Sequence, residues 1–126
     1  MIVKIKIKLY YHSMKSPIIG ITLDFENNGG YSKFPWYAIR ENYLSCLYKY
    51  GAIPFPLFHE TTINTSLLKI LDGLVITGGN FDINPELYAE NDSGSRNIKS
   101  KRTKFEIDIF QKFLETTKPI LGICGG

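Results

Sequence analysis

The sequence predicts an α/β fold, an open parallel sheet with helices on both faces. Short apolar runs alternate with amphipathic stretches through most of the chain, in the order strand, helix, strand, helix, strand, helix, strand. That alternation is the signature of parallel strands joined by helical crossovers. Glycine-rich turns also follow two of the strands, at Gly78-Gly79 and at Gly122 to Gly126. In open parallel sheets the functional site lies at the carboxyl ends of the strands, where these turns fall.

Taken in order, Pro17 to Thr22 (PIIGIT) is a short apolar run and reads as a buried strand. Residues 24–35 carry Asn27-Asn28-Gly29-Gly30 and read as a loop. From Trp36 to Tyr50 the apolar residues Ile39, Tyr43, Leu47 and Tyr50 recur at helical spacing, and Gly51 stops the helix. Ala52 to Phe58 is a second strand. Its Pro54 and Pro56 lack N–H donors, which suits a sheet edge or an early end. Asn64 to Leu71 is a short helix, and Leu74 to Thr77 a third strand ended by Gly78-Gly79. Residues 80–101 read as a long polar loop. Arg102 to Thr116 is an amphipathic helix with Phe105, Ile109 and Phe113 on one face, and Ile120 to Ile123 is the fourth strand.

Composition bounds the rest. The chain has 126 residues, 44% of them hydrophobic, and a net charge of +3. This is enough for one folded domain, and the charge is too mild to call for nucleic acid. Lys99, Lys101, Arg102 and Lys104 lack interleaved aromatics and read as a solvated loop rather than a nucleic-acid contact. Two cysteines make no disulfide framework and no metal-type C-x-x-C, so no metal or cofactor is expected and a reducing, cytoplasmic setting is. Abundant Lys, Ile, Asn and Tyr suggest AT-rich coding and a bacterial source. No apolar run approaches the ~18 residues of a membrane span. Residues 1–15 are read as an extension. Val3, Ile5, Ile7 and Leu9 alternate with lysines as in a half-exposed strand, but a non-native extension with Met14 as the true start is preferred. The lysines exclude a signal peptide.

The chemistry centres on Gly122-Ile123-Cys124-Gly125-Gly126, a G-x-C-x-G pattern directly after a buried strand. It is the cysteine form of a nucleophile elbow, in which the chain turns so sharply that the nucleophile takes a strained conformation and its side chain stands exposed. Glycines two before and two after it leave room for the crossing. A helix starting there would favour the thiolate of Cys124. The N–H of Gly125 would face a developing oxyanion, and Gly79 is a candidate for a second donor, although Gly78-Gly79 taken alone reads as an ordinary strand-to-loop turn. Gly78, Asp82 and Pro85 would support the loop between them. Set against this is an inert core cysteine beside a glycine turn, an even choice on the G-x-C-x-G pattern alone. Cys46 reads as a small core residue of its helix.

The stretches LDGLVITGGNFDINPELY and FEIDIFQKFLETTKPILGICGG, with Arg102 before the second, resemble the gamma-glutamyl-gamma-aminobutyrate hydrolase (peptidase C26) branch of class I glutamine amidotransferases. PIIGIT and YLSCLYKYGAIPFPL fit the first strand, helix and second strand of that family, so the resemblance runs over residues 16–126. Phe81 is one residue more than the family's GG-x-D spacing, and Gly125 stands where many relatives carry Arg.

The resemblance implies a flavodoxin-like fold and hydrolysis of a small-molecule γ-glutamyl amide through a Cys124 thioester. It also implies a His and a Glu near the family's C-terminus that complete a triad. His12 and His59 do not stand in that context. The chain is therefore expected to be the N-terminal part of such a domain, ending just after the elbow and inactive alone. The alternatives are a non-catalytic remnant, or an amidotransferase domain that passes ammonia to a synthetase partner.

Overall fold

The computed structural model describes residues 15–59 and 63–126, and these described residues form six strands and three α-helices. The alternating Val3–Leu9 segment, His12 and Met14 lie outside the described residues. Strand β1 (Ile18–Thr22) is followed by β2 (Asp24–Glu26), β3 (Trp36–Ala38), α1 (Glu41–Lys49), β4 (Ile53–Leu57) and α2 (Thr65–Ile70). Strand β5 (Gly73–Ile76), a 3₁₀ turn (Pro85–Tyr88), α3 (Ser100–Leu114) and β6 (Ile120–Gly122) complete it.

The main sheet has four strands in the order β4-β1-β5-β6, all parallel. Strand β4 is at its edge, where the prolines are tolerated. Ile53 N–H bonds to the Pro17 carbonyl at 2.8 Å. By strand alternation Pro54 and Pro56 turn their missing N–H positions away from β1. Right-handed crossovers carry α1 leftward from β1 to β4, and α2 and α3 rightward, so α1 covers the face opposite α2 and α3. The core reflects this division. Leu57, Leu71, Leu74 and Ile76 pack with Ile63 and with Phe105, Ile109 and Phe113 of α3, while Leu67 and Leu68 of α2 border the cluster. No residue of α1 is fully buried.

The expected helix from Trp36 starts later. Residues 36–38 pair antiparallel with Asp24–Glu26, making a hairpin out of what reads as a loop. The aromatic pair Trp36-Tyr37 suits a strand, and Phe25 packs on Tyr37 with ring centroids 5.2 Å apart. Cys46 is exposed on α1, not a core residue. With no fully buried position on this helix, helical spacing marks only the half-buried stripe of Tyr43, Leu44 and Leu47.

Candidate active site at the β5 and β6 carboxyl ends

Strands β5 and β6 are adjacent and parallel, so the turns after them meet at one edge of the sheet. Leu74, Val75 and Ile76 pair with Ile120, Leu121 and Gly122, and Ile123 N–H continues the ladder to the Ile76 carbonyl at 3.0 Å. The chain then reverses. Gly126 N–H bonds to the Ile123 carbonyl at 3.0 Å, and Cys124 sits between them at φ +60°. A non-glycine residue in this left-handed region carries backbone strain, of the kind nucleophile elbows hold. The Cys124 side chain is exposed and unpaired.

The flanking glycines are sterically required. A Cβ on Gly122 would lie 2.5 Å from the Gly126 carbonyl oxygen, and one on Gly126 would overlap the Ile76 carbonyl. Gly78 abuts the cysteine itself. A Cβ there would be 2.7 Å from Cys124 Cβ and 3.4 Å from its Sγ. Gly79 is hemmed in from another side, by the Phe81 ring at 2.9 Å and Arg102 Nη1 at 3.1 Å from a would-be Cβ. The Phe81 ring also reaches toward Gly125, 3.8 Å from the Cβ position there. Phe81 thus lies against both Gly79 and Gly125. Asp82 closes the base of the following loop. Its carboxylate accepts from Arg96 N–H at 2.7 Å and its own N–H donates to the Arg96 carbonyl at 3.0 Å. Pro85 is buried and opens the 3₁₀ turn, where its missing N–H costs nothing.

Beneath the two glycines lies a buried polar network that sequence reasoning missed. Arg102 belongs to α3 and is 0% exposed, so it is not part of a solvated basic loop. Its Nη2 donates to the Thr77 carbonyl, to Thr77 Oγ1 at 3.1 Å and to the Gly78 carbonyl at 3.4 Å. Its Nε donates to Glu106 at 3.0 Å, and Thr22 Oγ1 donates to the same carboxylate oxygen at 2.7 Å. Nη1 lies 3.3 Å from Asp24 Oδ1, a charge contact outside hydrogen-bonding geometry. The guanidinium is stacked on Phe81, 4.2 Å from its centroid. Lys99 is likewise drawn in, bridging Asp24 at 2.7 Å and Glu26 at 2.6 Å. Only Lys101 and Lys104 of the cluster are exposed. The partners lie more than 70 residues from Lys99 in the chain, so nothing local in the sequence announces the pairing. The i,i+4 spacing of Arg102 and Glu106 is the one legible signal.

These surroundings set the ionisation of the network. Burial alone would raise Asp24. The Lys99 and Phe25 N–H hydrogen bonds and the charges of Lys99 and Arg102 outweigh it and hold the carboxyl below its ordinary value. Burial pushes Glu106 upward, against the pull of Arg102 and Thr22.

His59 is 2% exposed and far from a free base. Its Nε2 donates to the Leu23 carbonyl at 2.9 Å, which leaves Nδ1 without a partner among the described residues. Phe25, Tyr37 and Phe105 enclose the ring, with centroids 5.1 to 6.0 Å away. Burial, mainly, depresses its pKa below 6.5, partly opposed by the Leu23 bond and reinforced by Arg102 and Lys101. Among the described residues no group of three His, Cys, Asp or Glu gathers to hold a metal ion, and no helix is long and apolar enough to cross a membrane.

Comparison with known proteins agrees with this geometry. The Peptidase C26 family model matches residues 17–126. Over 116 residues the chain is 40% identical to the "Putative glutamine amidotransferase-like protein RP404" of Rickettsia prowazekii (strain Madrid E), covering 89% of this chain and 41% of that protein. It is 28% identical over 116 residues to the gamma-glutamyl-gamma-aminobutyrate hydrolase PuuD of Escherichia coli (strain K12), covering 90% and 44%. The "Putative glutamine amidotransferase-like protein YvdE" of Lactococcus lactis subsp. lactis (strain IL1403) is 32% identical over 114 residues, with 86% and 48% covered. The chain thus spans less than half the length of these three relatives. With the matched region running from β1 through the Cys124 turn, the chain belongs to the peptidase C26 family.

Proposed function

We propose that this chain carries the nucleophile and oxyanion side of a γ-glutamyl amide hydrolase site. The observation that carries the proposal is the left-handed Cys124, φ +60°, exposed at the end of β6 and packed against Gly78 at the end of β5. In this reading the Cys124 thiolate attacks the γ-carbonyl carbon, and the N–H groups of Gly79 and Gly125 hold the oxyanion. The amine leaves with a proton, and water clears the γ-glutamyl thioester. Gly78, Asp82 and Pro85 keep the Gly79 loop against the elbow.

The proton-handling half of the reaction is assigned to residues beyond this chain. An amide leaving group needs a proton in the transition state, and positioned acid–base catalysis is typically worth about 10²–10⁴-fold. His59 is unsuited to that work, being enclosed by aromatic rings and tied to the Leu23 carbonyl. The relatives are more than twice as long as the matched segment, which leaves room for a His and Glu to come from the part this chain does not cover.

A γ-glutamyl diazoketone tests the nucleophile. Peptide mass spectrometry should place the adduct on Cys124 and leave Cys46 free, although both thiols are exposed. Equal labelling of the two, or labelling of Cys46 alone, would remove Cys124 from the role.

A further inference from the structure

We infer that Arg102 is a positioning residue for the oxyanion site: by holding the carbonyls of Thr77 and Gly78 it aims the Gly79 N–H named above and, beside it, the Gly78 N–H as a further donor. The inference rests on Cys124 being the nucleophile. The peptides 77–78 and 78–79 are trans and planar, so each N–H points opposite to the carbonyl of the preceding residue. Arg102 Nη2 draws both carbonyls, of Thr77 and Gly78, to one side. Two successive N–H groups therefore face away from the guanidinium. Among the described residues neither has a hydrogen-bond partner. Adjacent N–H groups on one side of a strand end make an anion-receiving concavity.

The anchor is well fixed. Its other nitrogens are occupied by Glu106 and by the Asp24 charge, and Phe81 stacks on its plane. Thr77 is locked from the β1 side as well. Its N–H donates to Thr22 Oγ1 at 3.0 Å and its own hydroxyl donates to the Thr22 carbonyl at 3.0 Å. A fork with several donors in a fixed plane can hold two successive carbonyls and a carboxylate at once. A lysine, with a single nitrogen, cannot reproduce that set. Residue 79 must be glycine for the same reason, since a Cβ there would press on Nη1 and on the Phe81 ring.

The test separates oxyanion chemistry from thiol access. With the 126-residue chain, Cys124 is acylated by a γ-glutamyl p-nitrophenyl ester and, separately, alkylated by iodoacetamide. In acylation sulfur bonds to the γ-carbonyl carbon, p-nitrophenolate leaves with the electron pair of the C–O bond, and the thiol proton goes to buffer. That leaving group needs no acid, and the step passes through an oxyanion. Alkylation displaces iodide at a saturated carbon and forms no oxyanion. Arg102→Lys should slow acylation at least about tenfold, short of the ~10²–10³-fold seen when an oxyanion donor is lost outright, while alkylation stays near the parent rate. Should Arg102→Lys not fold, Glu106→Gln loosens the same guanidinium while keeping the side-chain shape, and it should give a smaller loss in acylation alone. Parallel losses in both reactions, or none in either, would overturn the positioning role. Acylation of the parent chain that survives Cys124→Ala would instead mean that the nucleophile is misassigned.

Discussion

Cys124 holds a backbone conformation that costs free energy and that its neighbours enforce. For an L-residue the left-handed region is worse than the right-handed one by roughly 1–2 kcal/mol, and glycine escapes most of that. At an ordinary position glycine is instead less stable than alanine, by about 0.5–1 kcal/mol. The comparison of Cys124→Gly with Cys124→Ala therefore reads the strain directly. The glycine variant should be the more stable by about 1 kcal/mol in chemical denaturation, and neither should be acylated at position 124. An alanine variant as stable as the glycine one would mean that the turn is unstrained. The strained turn was legible in the sequence, because G-x-C-x-G after a buried strand sets around residue 124 the glycines that make its crossing. The Arg102 network was not. Its carboxylates come from β2 and from the next turn of α3, and a run of basic residues looks the same whether it faces water or Asp24.

At the scale of elements, the hairpin of β2 and β3 is what the sequence concealed. Asp24-Phe25-Glu26 carries two charges and looks like a loop, yet those charges pair with Lys99 while Phe25 packs on Tyr37 and His59. Strands β1, β4, β5 and β6 and helix α3 were readable because their apolar residues meet one shared core, as Phe105, Ile109 and Phe113 show at 5%, 0% and 0% exposure. His59 fastens the hairpin to that core and should give it a pH dependence. Above 6.5 the ring is neutral in both states. As the pH falls through 6.5 the unfolded chain takes up the proton first, because the folded value is depressed, and stability declines until the folded value is reached. Asp24 acts in a separate window, its contribution being lost as the pH falls below 3.8. Glu106, raised above 4.5, opposes the decline in part. Thermal melts from neutral pH downward should show stability falling below 6.5, and His59→Gln, which can still donate to the Leu23 carbonyl, should flatten that slope. Identical slopes in parent and variant would show that His59 is not the group responsible.

For the whole molecule, one side of the sheet stays open among the described residues. Strand β6 pairs only with β5, Leu121 is 55% exposed, and a groove of about 530 Å³ lined by Ile83, Leu87, Ile107, Phe110 and Leu114 runs beside it. An exposed apolar surface of this kind marks a place where further protein packs. The resemblance in the sequence gave the family and the elbow together. It could not show that Phe81 would lie against both Gly79 and Gly125 while stacking on Arg102, because those contacts join separate segments of the chain. The most direct measurement is amine release from γ-glutamyl-γ-aminobutyrate, with ammonia release from glutamine followed alongside. It compares the 126-residue chain with the same chain continued by the C-terminal half of a family member. No measurable turnover is expected from the short chain, turnover from the extended one, and loss of that turnover on Cys124→Ala. Robust turnover by the short chain that His59→Ala abolishes, or extended-chain activity that survives Cys124→Ala, would contradict that expectation.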